Sequence, residues 1–297
     1  DSPRVTVNRR AESRFAAGHP WIFQSDVTDH GGAQPGDAVE VVAERGKPLG
    51  MAHYSSSSQI TLRMLTHTRR PIDQEFFRER LQAALDYRSR YLQNTDACRL
   101  VHAEADGLPA LIVDRYADCL TVQTLNQGMD RAKPGLLTLL QELVSPRAIV
   151  VRNDAQVRQK ENLSQEKFVA AGELDGPVPV RMNGLNWETD LLEGQKTGVF
   201  LDQRENYLAA ARFARGRALD CFTCTGGFAL HMAASCDHVE AVDSSAVALR
   251  QAARNRDLNG IENVEFREAD VFDLLAGLER ARKQFDTIVL DPPAFAK

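Results

Sequence analysis

The chain has 297 residues, 43% of them hydrophobic, with 19 Gly, 12 Pro and a net charge of −5. That length exceeds one ordinary domain, and the composition excludes a disordered or fibrous chain. Apolar runs such as Ala148-Ile149-Val150-Val151 are far too short to span a membrane, and Asp1-Ser2-Pro3-Arg4 lacks the apolar core of a signal peptide. Five cysteines, an odd number, form no disulfide framework, so a reducing cytoplasm is expected. The acidic balance excludes a protein that binds nucleic acid over its whole surface. Residues 1–70 are slightly basic, with Arg4, Arg9, Arg10 and Arg14 close together. A local phosphate-binding patch and a solvated surface are both open readings of that cluster.

Residues 1–70 read as short strands. Val39 and Val41 alternate with polar neighbours, as do Ile60, Leu62 and Met64, and turns fall at Gly31-Gly32, Gly36-Asp37 and Gly46-Lys47-Pro48. This spacing predicts a small β-barrel, interrupted by a short helix around residues 11–17. Residues 71–178 read as α+β. Phe77, Leu81, Ala84, Leu85 and Leu92 recur at helical spacing over residues 72–92. A meander over 100–104, 110–114 and 120–124 follows, then a helix over 131–143 and a strand over 148–152. Asp175-Gly176-Pro177 marks a boundary.

Residues 179–297 carry the clearest rhythm. Strands at 218–222, 239–243, 264–268 and 287–290 alternate with helices, one of them capped by Ser244 or Ser245 and followed by Gly260. That alternation predicts a doubly wound parallel sheet. In such sheets ligands bind at the carboxyl ends of the strands. Here those ends carry Asp220, Asp243, Asp270 and Asp291, with Phe222, Thr225, Gly226 and Gly227 in the first turn and Val271 after Asp270. The loop Thr223-Cys224-Thr225-Gly226-Gly227-Phe228 lacks the Gly-x-Gly-x-x-Gly cradle for a pyrophosphate. An acidic ribose clamp at Asp243 and Ser244, with an adenine acceptor at Asp270 and no such cradle, points to S-adenosylmethionine. Acidic helix caps are the plainer account of one or two of these aspartates. Asp291-Pro292-Pro293-Ala294-Phe295 forms a rigid turn that presents a carboxylate and carbonyls to a planar, nitrogen-bearing target. Residues 194–204, with Phe200, Asp202 and Arg204, could form a lid over the cofactor, although Asp202 could equally cap a helix. Cys221 and Cys224 have no matching ligand pair, and no metal site is expected; His102 and His231 have no catalytic partner.

The strings Asp220-Cys221-Phe222-x-x-Thr225-Gly226-Gly227-Phe228, Val242-Asp243-Ser244-Ser245, Asp291-Pro292-Pro293-Ala294-Phe295 and Gln195-Lys196-Thr197-Gly198 with Leu201-Asp202-Gln203-Arg204 resemble one family. It is the bacterial 23S ribosomal RNA cytosine-5 methyltransferases with an N-terminal PUA domain. Gly18-His19-Pro20-Trp21-Ile22-Phe23, Glu104-x-Asp106-Gly107-Leu108-Pro109, Val113-Asp114-Arg115-Tyr116 and Arg152-Asn153-Asp154 with Val157-Arg158 extend the resemblance over nearly the whole chain. It implies that the first two domains help to hold ribosomal RNA, and that the third methylates carbon 5 of a flipped-out cytosine. Asp291 would contact the ring-nitrogen side of the base while a cysteine thiolate adds to carbon 6. The family's seven-stranded sheet carries that cysteine after the next strand, so the nucleophile is expected beyond Lys297 and the sheet is expected to stop after its fourth strand. Methylation of a base nitrogen remains an alternative. So does a non-catalytic RNA- and cofactor-binding protein, if the chain ends at 297, and, more remotely, a dinucleotide oxidoreductase. A homodimer stays open.

Overall fold

The computed structural model describes residues 2–194 and 199–293 and divides into two units. The first is Asp1–Gln93 with Cys98–Asp175, and the second Asn94–Ala97 with Gly176–Lys297.

In the first unit, β1 (Arg4–Val7), β2 (Trp21–Phe23), β3 (Val27–Asp29), β4 (Ala38–Ala43), β5 (Pro48–Tyr54) and β6 (Ile60–Thr66) form one sheet in the order β2-β6-β5-β4-β1-β3. Its edge strands β2 and β3 are joined by only the 3-10 turn Gln24–Asp26. Three residues span at most about 10 Å, so the edges must approach and the sheet curls into a barrel. Inward residues at period two, including Val5, Val7, Val39, Val41 and Leu62, fill it. The helix α1 (Arg9–Ala16) opens on Asn8, whose side chain accepts from the Ala11 amide, and buries Ala11 and Phe15.

The same unit continues with α2 (Gln74–Tyr91), capped by Asp73. Then come β7 (Ala97–His102), β8 (Leu111–Tyr116), β9 (Cys119–Thr124), α3 (Gln127–Val144), β10 (Ala148–Asn153), α4 (Val157–Lys160) and β11 (Glu166–Gly172). The five strands form a sheet in the order β11-β10-β9-β8-β7. The spacing that predicted α2 also predicts its inner face, since Phe76, Phe77, Leu81 and Ala84 are buried against Leu108, Leu111 and Leu136. The edge strand β11 gives no period-two signal, because its residues are half-buried or exposed throughout.

In the second unit β12 (Val178–Met182) and β13 (Leu185–Thr189) make a two-stranded ribbon. Next come α5 (Arg204–Phe213), β14 (Arg217–Cys221), α6 (Gly227–Met232), β15 (His238–Asp243), α7 (Ala246–Leu258), β16 (Val264–Glu268), α8 (Val271–Arg280) and β17 (Thr287–Leu290). The four strands are parallel, in the order β16-β15-β14-β17. The chain therefore winds outward from β14 to β16 and then crosses to the other side of β14. Ligands of such sheets sit where the winding reverses, here between β14 and β17. Among the described residues β17 is an edge, with Ile288 and Leu290 about half exposed (52% and 56%), as expected for an apolar strand without an outer neighbour.

Candidate cofactor and base site

Asp220 stands on β14, next to the point where the winding reverses, and is wholly buried. Its Oδ2 accepts the Thr223 hydroxyl at 2.5 Å and the Ala229 amide at 3.0 Å, while Oδ1 has no hydrogen-bond partner. Burial, with the negative fields of Asp291 and Asp243, pushes its pKa up to about 7. A buried acceptor without a donor is costly, and a bound donor or cation would relieve it.

The loop after β14 is held in an unusual backbone form. Phe222, Cys224 and Gly226 all have positive φ, at 63°, 50° and 91°. Such geometry persists only where its surroundings hold it. Asp243, at the end of β15, does part of this: its Oδ2 accepts the Cys224 amide and its Oδ1 the Ser245 amide, each at 2.9 Å. Asn255 on α7, fully buried, donates to the Thr225 carbonyl at 3.2 Å and accepts the Glu188 amide of β13 at 3.1 Å. Nothing in the sequence marks Asn255, because a polar residue on a helix ordinarily faces water. Phe222 packs edge-on against Phe272, with ring centroids 6.0 Å apart.

The glycines of the turn have their own neighbours. A Cβ at Gly227 would lie 2.4 Å from the Tyr207 ring, and one at Gly226 would press on Leu230 at 3.3 Å. The close approach at Gly227 is thus to Tyr207 of α5. Tyr207 stacks on His231 (5.0 Å between centroids), and His231 on Trp187 (5.8 Å). His231 is a satisfied core residue: Nδ1 donates to the Gly227 carbonyl at 2.7 Å and Nε2 accepts from Asn183 at 3.1 Å. Burial holds its pKa low.

Asp270 caps α8, its Oδ1 accepting from Phe272 and Asp273 at 2.9 and 3.1 Å. That leaves Oδ2 outside the cap, directly before the buried Val271. Ser244 is exposed, and Ser245 caps α7, accepting from Ala248 at 3.2 Å. Asp202 caps nothing, since neither the 3-10 turn Leu201–Gln203 nor α5 has a side-chain cap. Gln203 instead donates to Asp291 Oδ2 at 2.9 Å, joining two strings 88 residues apart. Phe200 begins that 3-10 turn, and Arg204 pairs with Glu205 while its carbonyl accepts from Asn183 at 2.9 Å. Asp291, Pro292 and Pro293 are exposed after β17. Gln195-Lys196-Thr197-Gly198, Ala294 and Phe295 lie outside the described residues.

The structure therefore brings Asp220, Asp243, Asp291 and the Phe222–Gly227 turn into one electrostatic neighbourhood, with Gln203 added. In the first unit it corrects the arginine cluster. Arg14 is ion-paired to the buried Asp26 and lies over Phe23, and Arg4 pairs with Glu40 at 2.9 Å. Arg9 and Arg10 stay exposed. The His19-Pro20-Trp21 and Glu104 strings meet each other: Trp21 Nε1 donates to Glu104 at 2.7 Å, and Arg63 bonds the same carboxylate at 3.0 Å.

Residues 5–67 match the model of a PUA-like domain, and residues 213–294 that of a methyltransferase domain. Ribosomal RNA large subunit methyltransferase I of Shewanella denitrificans is 40% identical across 99% of this chain and 76% of its own length. Its namesake in Erwinia tasmaniensis is 37% identical over the same shares. Two solved structures, each 19% identical, cover 99% of the chain and 77% of their own. A methyltransferase complexed with SAH has a TM-score of 0.86, and a SAM-dependent methyltransferase from Streptococcus mutans one of 0.85. At that identity they establish a shared fold. Domain order, sheet winding and sequence identity over this length agree: the chain belongs to the ribosomal RNA large subunit methyltransferase I family.

Proposed function

We propose that the second unit binds S-adenosylmethionine and directs its methyl group to carbon 5 of a cytosine in large-subunit ribosomal RNA, with the PUA-like barrel helping to hold that RNA. The observation that carries this reading is the buried, half-unpartnered Asp220 carboxylate where the sheet reverses, ringed by Asp243 and Asp291. Such a site suits a ligand with a cationic amino group and neutral hydroxyls, and it has no cradle for a pyrophosphate. Asp220 Oδ1 would take the amino group and Asp243 the ribose hydroxyls, while Asp270 Oδ2 would accept from the adenine amine. When bound, S-adenosylmethionine supplies an electrophilic methyl group. Gln203 holds one oxygen of Asp291, which leaves the other to the ring-nitrogen side of the base.

The attacking thiolate is not assigned to the cysteines present. Burial pushes the Cys119 and Cys221 thiols up to about 11 and raises Cys236, which keeps sulfur protonated and unreactive. Cys98 lies on β7 of the first unit, and Cys224 lies in the turn that Asp243 holds. The Asp-Pro-Pro turn also suits methylation of a base nitrogen, which needs no thiolate. Mass spectrometry of large-subunit RNA from cells with and without this gene separates the readings. Loss of one 5-methylcytosine is expected. Loss of an N-methylated base would favour the second reading, and an unchanged RNA would overturn both.

A further inference from the structure

Within the first unit, α3, the start of α2 and the barrel strands enclose a half-open cavity of about 420 Å³. His53 of β5 lines it, is only 4% exposed, and has no hydrogen-bond partner for Nδ1. Its ring lies flat against the backbone of α3. A Cβ at Gly128 would fall 2.2 Å from its Cγ, so only glycine fits there. On another side the ring leans on Phe77, with centroids 6.3 Å apart. Burial lowers the His53 pKa to about 4, so at neutral pH the ring is uncharged, with one donor and one acceptor nitrogen. Gln74 lines the cavity with its carboxamide, whose Nε2 would be 2.6 Å from a Cβ at Gly135. Ala132 and Gly135 keep the α3 wall low.

The charges in the lining are paired. Asp37 bonds Arg131 at 2.6 Å, and Asp73 caps α2 through the Phe76 amide at 3.1 Å. The lining thus offers an anion no uncommitted cation. It offers a neutral flat ring an aromatic wall, a glycine-lined floor, an imidazole and a carboxamide. His53 Nδ1 lies against Gly128 with almost no accessible surface, so the ring nitrogen left for a ligand is Nε2.

We propose that this cavity binds a single unpaired nucleobase, with its sugar and phosphate left outside. The choice of a base among neutral rings rests on the ribosomal RNA reading above. The site itself is tested without cofactor or methyl transfer, so it can fail while that reading stands.

The test is titration of the chain with cytidine, uridine, adenosine and, separately, inorganic phosphate, following the His53 ring signals by NMR. At least one nucleoside should saturate at millimolar concentration and shift those signals, and phosphate should not. Ala132→Leu, which fills the floor from a helix-compatible position, should weaken binding about tenfold or more, near 1.4 kcal/mol. Gly135→Leu serves the same purpose if Ala132→Leu melts early. His53→Phe keeps an aromatic ring and removes the nitrogens, and should weaken binding severalfold, with melting temperature followed in parallel to separate this from a packing effect. Absence of nucleoside binding, equal binding by the filled variants, or binding of phosphate alone would each overturn the assignment.

Discussion

Asp220 couples the candidate site to pH. Its carboxyl ionises near 4 in the unfolded chain and near 7 in the fold, because burial and two neighbouring carboxylates oppose its charge. The folded state therefore holds a proton that the unfolded state has released, and stability falls as pH rises from about 4 to about 7. Asp220→Asn should flatten that slope and raise the melting temperature more at pH 8 than at pH 5. Thermal denaturation at both values checks it, and equal shifts would contradict it. Arg9 and Arg10 behave differently from Arg14, although the sequence groups them. Arg9→Ala with Arg10→Ala should lower the salt slope of RNA binding by about 0.7 for each single-strand phosphate no longer neutralised. Arg14→Ala should instead destabilise the barrel by leaving the buried Asp26 unpaired. Filter binding over a salt series and urea denaturation separate the two effects.

Among the elements, α4 has a role that its four residues do not announce. It carries Arg158, which is buried and bonded to the Ser164 carbonyl (2.9 Å), the Thr124 carbonyl and Asp130 (2.9 Å). Asn153, at the end of β10, accepts the Thr124 amide at 2.8 Å and donates to Glu166 at 3.0 Å. These residues, which the resemblance singled out, tie β9, β10, β11 and α3 into one polar seam. Removing the guanidinium would take a donor from the buried Thr124 carbonyl, while Asp130 would keep the Thr124 hydroxyl and Lys133. Arg158→Met should cost about 1–3 kcal/mol in urea denaturation, the scale of a buried acceptor left without its donor, whereas a drop in stability below about 0.5 kcal/mol would show that the seam is dispensable. The turn before α5 illustrates a related point. Helix capping accounted for Asp202 in the sequence, but its neighbour Gln203 is the residue whose side chain reaches across to Asp291.

For the whole molecule, two compact units imply two unfolding events. The first holds two hydrophobic clusters, one around Leu108, Leu111 and Leu136 and one inside the barrel, and the second holds a cluster around Leu219, Val242 and Leu274. Calorimetry should resolve two transitions, and S-adenosylmethionine should raise only one. Ligand at a hundred times its dissociation constant adds about 2.7 kcal/mol to the state that binds it. A single transition that moves as one with the ligand would contradict this.

The periodic signals determined the element types and the winding of the parallel sheet, because burial on one face imposes spacing that a sequence displays directly. They also placed acidic residues at its strand ends, where local order alone sets position. Pairings between distant segments were decided only by tertiary structure. In the sequence Gly227 stands as a glycine of the first turn, and the Tyr207 ring against it comes from α5. Arg14 reads as surface charge, yet it is committed to Asp26. The half-buried strand β11 and the buried Asn255 carry no periodic signature at all. Nothing in the sequence marks His53, and α3 packed against its ring leaves Nδ1 buried and without a partner. Periodicity reports which face of an element is buried, but which residues of different elements meet depends on how the elements pack.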